Sequence, residues 1–381
     1  MRILHTSDWH VGKVLKGQSR AEEHVAVLAQ VVEIARAEQP DLVIVAGDLY
    51  DTAAPSPEST RLVTRALSAL RRTGADVVVI GGNHDNGAAL DALRPWSDAA
   101  GITLRGSVRE NPAEHVIDGT TATGERWRLV ALPFLSQRYA VRAIEMYDLT
   151  AAEATQTYAD HLSRLLAKLT EGFGEAGVIN LVTAHLTVVG ASQGGGEREA
   201  QTVLGYAVPA NVFPTSTHYV ALGHLHRAQT VIGPCPVRYS GSPLAIDFGE
   251  AENVPAVSVV EVTAQTAAKV REVPVTVATQ LRTVRGTLEQ LATLKTGDAW
   301  LRVFVRETPR AGLREEVQEL LPRALEVRID PEMVAASPGP RAGERAGRTP
   351  RELFAAYLDS RGVTDTGVRE LFDEFYDEAS A

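Results

Sequence analysis

The chain has 381 residues, 44% of them hydrophobic but only 6% aromatic, and a formal charge of −10. That length suits two or three domains, each able to bury a core, and the acidic balance excludes a uniformly basic nucleic-acid protein while leaving a local basic groove open. Cys235 is the single cysteine, which rules out an intrachain disulfide and a cysteine metal cluster and leaves it to read as a small buried apolar residue. No apolar run approaches the roughly 20 residues needed to span a bilayer. Met1 leads straight into a strand-like segment, so the expectation is a cytoplasmic protein without membrane contact.

Taken in chain order, residues 1–270 alternate β-like and helical segments. Ile3 to Thr6 reads as a strand. Val25, Leu28, Val32 and Ala35 then recur at helical spacing and mark an amphipathic helix that ends before Pro40. Leu42 to Ala46, Val77 to Ile80, Ile179 to Ala184 and Tyr219 to Leu222 are short apolar runs rich in β-branched residues, as expected of strands buried on both faces. Strand–helix–strand repeats give a layered α/β fold.

Residues 271–334 form a compact α+β unit: strand Leu281 to Arg285, helix Thr287 to Leu294, strand Trp300 to Glu307, helix Gly312 to Leu321 and strand Ala324 to Ile329. Ala335 to Arg348, rich in Gly, Pro and small residues, reads as a flexible linker. Beyond it, in residues 349–381, Thr349 and Glu352 have capping-box spacing around Pro350. Leu353, Phe354, Tyr357 and Leu358 share one helical face, and Val368, Leu371, Phe372 and Phe375 share another.

Five short motifs close apolar runs: Asp8-x-His10, Gly47-Asp48, Gly82-Asn83-His84-Asp85, Ala184-His185 and Gly223-His224-x-His226. In α/β sheets, ligands collect beyond the carboxyl ends of strands, where all five fall. Asp8 and His10 project to the same side and can share a cation, while Asp48, after the most apolar strand, can bridge two. Asn83 adds an amide oxygen, and His185, His224 and His226 complete a mixed oxygen and nitrogen set suited to Mn²⁺, Fe²⁺ or Zn²⁺. Two such ions and a histidine supply what phosphate-ester hydrolysis needs: charge neutralisation, an activated water and a proton for the leaving group. His84 is the candidate acid, and the Asp51 carboxylate is the candidate to orient it.

A lone Gly-Asp or Gly-x-His is usually a turn. Five together, in order at strand ends, are not. His5 and Asp85 read as supports for the ligands, and His24, His115, His161 and His218 as surface or satisfied core residues. Lys13, Lys16 and Arg20 either meet backbone phosphates or form a solvated basic loop. The Gly194 to Gly196 run lacks a P-loop pattern and reads as a mobile loop near the site.

These motifs resemble the calcineurin-like metallophosphoesterase superfamily. The stretches HTSDWHVGK, VAGDLYD, GGNHD, AHLTVVGA followed by SQGGGERE, ALGHLH and YSGSPLAIDFGE narrow the likeness to the SbcD family of bacterial nuclease subunits. Val11 stands where that family more often has leucine, and the Gly-rich stretch replaces a more polar loop. The resemblance covers most of residues 1–255. It implies a four-layer metallophosphoesterase sandwich, with residues 271–334 as a DNA-capping domain and the terminal helices as an SbcC-binding segment. It implies two Mn²⁺ ions, one held by Asp8, His10, Asp48 and His226 and one by Asp48, Asn83, His185 and His224, with His84 as catalytic acid. It also implies DNA exonuclease and endonuclease activity on duplex ends, hairpins and single strands, and a nuclease homodimer joined to two SbcC-type coiled-coil ATPase chains. Two other readings stay open: a small-molecule phosphodiesterase or phosphoprotein phosphatase of the same fold, and a non-catalytic scaffold. Against the phosphatase, Thr52-Ala53 stands where an Arg-Gly would follow Asp51.

Overall fold

The computed structural model describes residues 1–136, 158–197, 206–336, 349–360 and 365–380. Two six-stranded sheets stack face to face. The first runs, edge to edge, Thr266–Pro274, Ala256–Thr263, Arg2–Thr6, Leu42–Ala46, Asp76–Ile80 and Ile102–Arg105. The second runs Gln229–Val231, Val237–Tyr239, Tyr219–Gly223, Val178–His185, Arg126–Leu132 and Val116–Thr120. Arg2–Thr6, Leu42–Ala46 and Asp76–Ile80 are mutually parallel, as are Tyr219–Gly223 and Val178–His185.

The period-two alternation of the strands builds the layers. Leu4, Val43, Val45, Val77 and Val79 face Val27, Leu28, Val31 and Leu67 of the helices Ala21–Glu38 and Pro57–Arg71. On the other side, Ile3, Leu42, Ile44, Val78 and Ile80 meet Trp127, Leu129, Ile179, Leu181 and Tyr219 of the second sheet. Val182, Val220 and Leu222 point outward onto Leu162, Leu165 and Leu166 of the helix Tyr158–Leu169. The result is helices, sheet, sheet, helix. Burying each Val or Leu contributes about 1.5–3 kcal/mol, so the continuous apolar runs of the central strands hold both interfaces.

The expected strands appear, Leu42–Ala46 and Ala324–Ile329 at the expected bounds and the others shifted by a residue or two. Val25 departs from its expected face: it is 54% exposed, because the buried stripe of its helix runs through His24, Val27, Leu28, Val31, Val32 and Ala35. The first sheet also extends past residue 270, since its outer strand pairs as far as Pro274 with Ala256.

Residues 281–329 make a separate three-stranded parallel sheet, Leu281–Gly286, Trp300–Val305 and Ala324–Ile329, with Leu288–Ala292 and Leu313–Leu320 in the crossovers. Val284, Leu291, Leu301, Val303, Val305 and Val317 form its core. Thr287 and Gln290 close a capping box that starts the first of these helices. The unit is pinned to the larger body. Leu281 clusters with Leu15 and Phe248, and both Trp300 Nε1 (3.1 Å) and the Thr279 amide (3.1 Å) donate to the Glu23 carboxylate. The Arg302 guanidinium donates to the Phe248 carbonyl at 3.3 Å.

Thr349 and Glu352 form the expected capping box ahead of the helix Pro350–Ser360, which packs on Thr366–Ser380 with the Phe354 and Phe372 rings stacked at 4.0 Å. Residues 337–348, most of the linker reading, lie outside the described residues. No described helix is long and apolar enough to cross a membrane.

Candidate metal centre

All five motifs meet at the carboxyl ends of the parallel strands. The backbone there is forced: Asp8, His10, Asp48 and His224 all have positive φ, between 47° and 100°. Each such residue costs about 1–3 kcal/mol, a strain that persists where surrounding contacts over-determine it. Those contacts are present. The Asp8, His10 and Val11 amides donate to the Gly47, Asp48 and Leu49 carbonyls at 3.0 Å, and the His224 amide donates to Asp8 Oδ1 at 3.0 Å. The His84 amide donates to Asp48 Oδ1 at 2.8 Å. Gly47 and Gly82 leave the room: a Cβ on Gly47 would sit 2.3 Å from His185 Nδ1, and one on Gly82 2.2 Å from Asp48 Oδ1.

The side chains converge tightly. His10 Nε2 lies 3.1 Å from His226 Nε2 and 3.7 Å from Asp48 Oδ2. His185 Nε2 lies 2.8 Å from Asn83 Oδ1 and 3.4 Å from Asp48 Oδ2, and His224 Nδ1 is 2.8 Å from the same Asn83 oxygen. Ligand atoms of Asp8, His10 and His226 fall within 4.8 Å of one another, as do those of Asp8, Asp48 and His185, and those of His10, Asp48 and His84.

This donor set fits divalent cations. His185 Nδ1 donates to the Ala46 carbonyl at 2.8 Å, so a neutral ring turns its Nε2 lone pair toward Asn83 and Asp48 oxygens. His226 Nδ1 donates to Glu250 Oε1 at 2.7 Å, which turns its Nε2 lone pair toward His10. Lone pairs facing lone pairs at these distances call for positive charge between them. The proton equilibria agree. Burial pushes the Asp8 carboxyl up to about 6 and the His10 and His224 rings down to about 3. Burial also opposes charge on His185 and His226, yet Asp48 raises the first to about 9 and Glu250 the second to about 10.

His84 stands beside the cluster, its ring edge-on to His10 with centroids 4.6 Å apart. Its Nδ1 faces the main-chain carbonyl of Asp51 at 2.8 Å. The sequence pointed to the Asp51 carboxylate for this contact. That carboxylate instead turns to Lys13 Nζ (3.2 Å) and His10 Nδ1 (3.6 Å), which together draw its pKa down to about 2 against the effect of burial.

The supporting residues sort clearly. Asp85 takes the Gly82, Leu49 and Tyr50 amides and so locks two ligand loops together, while buried His5 bonds Tyr219 and the Leu222 carbonyl. His24, His115 and His218 spend both ring nitrogens on internal partners, and His161 is buried on its helix. Each member of the basic triplet has an acidic partner: Lys13 pairs with Asp51, Lys16 with Glu326, and buried Arg20 holds Glu23 through two 2.6 Å bonds. The Gly194 to Gly196 run differs most from its reading as a mobile loop. It packs against His226 and the Phe248–Glu250 turn so closely that a Cβ on Gly196 would lie 2.0 Å from Glu250 Oε1. Glu197 and Glu250 were not singled out in the sequence, because neither sits in a strand-end motif; only their place in the SQGGGERE and YSGSPLAIDFGE stretches marked them.

Residues 1–228 match the family model of the calcineurin-like phosphoesterases. Among curated relatives, the chain is 34% identical to the SbcD subunit of the Bacillus subtilis SbcCD nuclease over 83% of its own length and 81% of that protein's. It is 38% identical to the Rhodobacter capsulatus SbcD subunit and 35% to that of Escherichia coli K12, over 66% of this chain in each case, and spans 64% and 62% of those proteins.

Proposed function

The chain belongs to the calcineurin-like phosphoesterases and, within them, to the SbcD family, and on that premise we propose that it is a two-metal DNA phosphodiesterase. It acts as an exonuclease and endonuclease at DNA ends and hairpins, as a homodimer assembled with two SbcC-type coiled-coil ATPase chains. The observation that carries this reading is the convergence of six strand-end side chains around Asp48 with a further histidine, His84, alongside. Asp8, His10, Asp48 and His226 would hold one divalent ion and Asp48, Asn83, His185 and His224 the other, and we assign Mn²⁺ to both. When bound, such ions neutralise phosphoryl charge and activate a water.

The chain's own groups do the rest. His84 keeps its Nδ1 at the Asp51 carbonyl, so the proton it gains and passes to the leaving oxygen sits on Nε2. The amide that fixes His84 to Asp48 holds acid and bridge at one spacing, so the proton donor stays registered to the phosphate. The half-exposed apolar residues of the terminal helices support docking on the ATPase.

The test compares a hairpin DNA with a chromogenic phosphodiester in Mn²⁺, with and without chelator. Chelator-sensitive hairpin cleavage, stimulated by an SbcC-type partner and ATP, is expected. Turnover of the small diester with none of DNA would overturn the assignment in favour of a small-molecule enzyme, and no turnover of either would leave a scaffold.

A further inference from the structure

The four histidines of the cluster are not backed alike. His185 rests its outer ring nitrogen on a neutral carbonyl, and His224 Nδ1 lies against the Asn83 amide oxygen. His226 instead donates Nδ1–H to Glu250, a carboxylate 1% exposed whose other oxygen takes the Ile246 amide at 2.8 Å. Both Glu250 oxygens are therefore committed, and the group is fixed in the wall of the site. A second carboxylate, Glu197, holds the main chain of the same residue, accepting the His226 amide at 3.0 Å and the amides of Gly194 and Gly195.

The Gly194–Gly196 strap makes this clamp possible. Gly195 has φ +112° and lies against Gly249 so closely that a Cβ on it would meet the Gly249 carbonyl carbon at 2.7 Å, while Asn253 Nδ2 donates to the Gly194 carbonyl at 3.3 Å. Strap and Phe248–Glu250 turn thus press His226 between two acids, one on its ring and one on its backbone. On the neighbouring ligand, His10, the Asp51 carboxylate lies 3.6 Å from the outer nitrogen. His226 and His10 thus have carboxylates beside their outer ring nitrogens, whereas the outer nitrogen of His185 meets a neutral carbonyl.

A carboxylate behind a ligand histidine fixes its tautomer and raises its basicity, and its loss typically weakens metal binding about 10–100-fold. We propose that Glu250 is the positioning residue for His226 and that it makes the two ion sites unequal, the His10–His226 site being the tighter. This rests on the two-metal reading above and assigns each ion its own dependence.

The experiment uses the full-length protein stripped by chelator and titrated with Mn²⁺ by calorimetry, with bound metal counted by elemental analysis. The wild-type chain should bind two ions in two resolved phases. Glu250→Ala should weaken the tighter phase about 10–100-fold and leave the other in place. Glu250→Gln, which keeps an acceptor without the charge, should fall between them. In the metal-free protein, the His226 Nδ1–H proton should resonate far downfield in wild type, as in a short N–H···O bond to a carboxylate, and lose that position in the alanine variant. Unchanged affinities in Glu250→Ala would overturn the proposal, as would equal weakening of both phases together with a lower melting temperature, the mark of a merely structural role. If the alanine variant does not fold, an unchanged titration of Glu250→Gln overturns it instead. A wild-type chain that binds fewer than two ions would remove the two-metal reading itself, a result distinct from two ions that ignore Glu250.

Discussion

At the ligand cluster, Asp8, His10, Asp48, His185, His224 and His226 are each at most 3% exposed and tied through both backbone and side chain; in the C-terminal helix pair, Tyr357, Leu371 and Phe375 are each more than half exposed. The first region places charged groups where water cannot screen them, which is tolerable only because each has an assigned partner. The second leaves apolar rings in water. Its internal contacts are the Phe354–Phe372 stack and ion pairs such as Arg351 with Asp373 and Arg369 with Asp359. Burial is thus complete at the cluster and unfinished in the helix pair, the contrast on which the proposed chemistry and the proposed docking rest.

The strongest way to break that contrast is Asp48→Ala. Removing the carboxylate shared by both halves of the cluster should abolish cleavage and high-affinity metal binding together, and two ions per chain by elemental analysis would show that Asp48 is not the bridge. His84→Ala comes next, with cleavage lower by roughly two to four orders of magnitude while both ions stay bound. Loss of an ion in that variant would make His84 a ligand instead of an acid. Gly82→Ala probes packing against a ligand while replacing none: its methyl would fall 2.2 Å from Asp48 Oδ1 and 2.3 Å from the Asp48 amide. Overpacking of this kind costs about 1–3 kcal/mol, so a melting temperature lower by several degrees is expected, and an unshifted melt would show that the loop yields. The smallest effect belongs to the tail. Truncation after Gly339 should leave the nuclease melt and basal Mn²⁺ activity in place but remove co-purification with an SbcC-type ATPase. Complete assembly by the truncated chain, in size-exclusion with light scattering, would refute the docking. Within the intact tail, Leu371→Ala or Phe375→Ala should cost more affinity than neutralising any of its eight acids, whose effect should appear in the salt dependence of the on-rate.

The strand ends were legible because a strand buried on both faces is an unbroken apolar run, and the residues just beyond such a run in a parallel sheet lie where ligands gather. Leu42–Ala46 and Ala324–Ile329 could be read to the residue. Val25 could not: it fits a helical stripe as well as Val27 does, and only the packing partner decides which stripe turns inward. The candidate ligands could be found for the same reason as the strands. Their backing could not, since Glu250 reaches His226 from a turn 24 residues on, and the Asp51 contact to His84 is made by a carbonyl that every residue type carries.

Arg2–Thr6 is the first strand of the chain and sits inside its sheet, flanked by Leu42–Ala46 on one side and by Ala256–Thr263 on the other. Arg2 and Glu261, opposite one another in that pairing, are 259 positions apart. During synthesis Asp8 and His10 therefore emerge well before the strand that closes the far side of Arg2–Thr6. Until Ala256–Thr263 emerges, Arg2–Thr6 offers an open edge, the kind that recruits foreign strands. Such a long-range closure is slow to form. The interval between emergence of Leu4 and emergence of Val259 is thus when a nascent chain is most exposed to misassembly, and when a chaperone would have the most to protect.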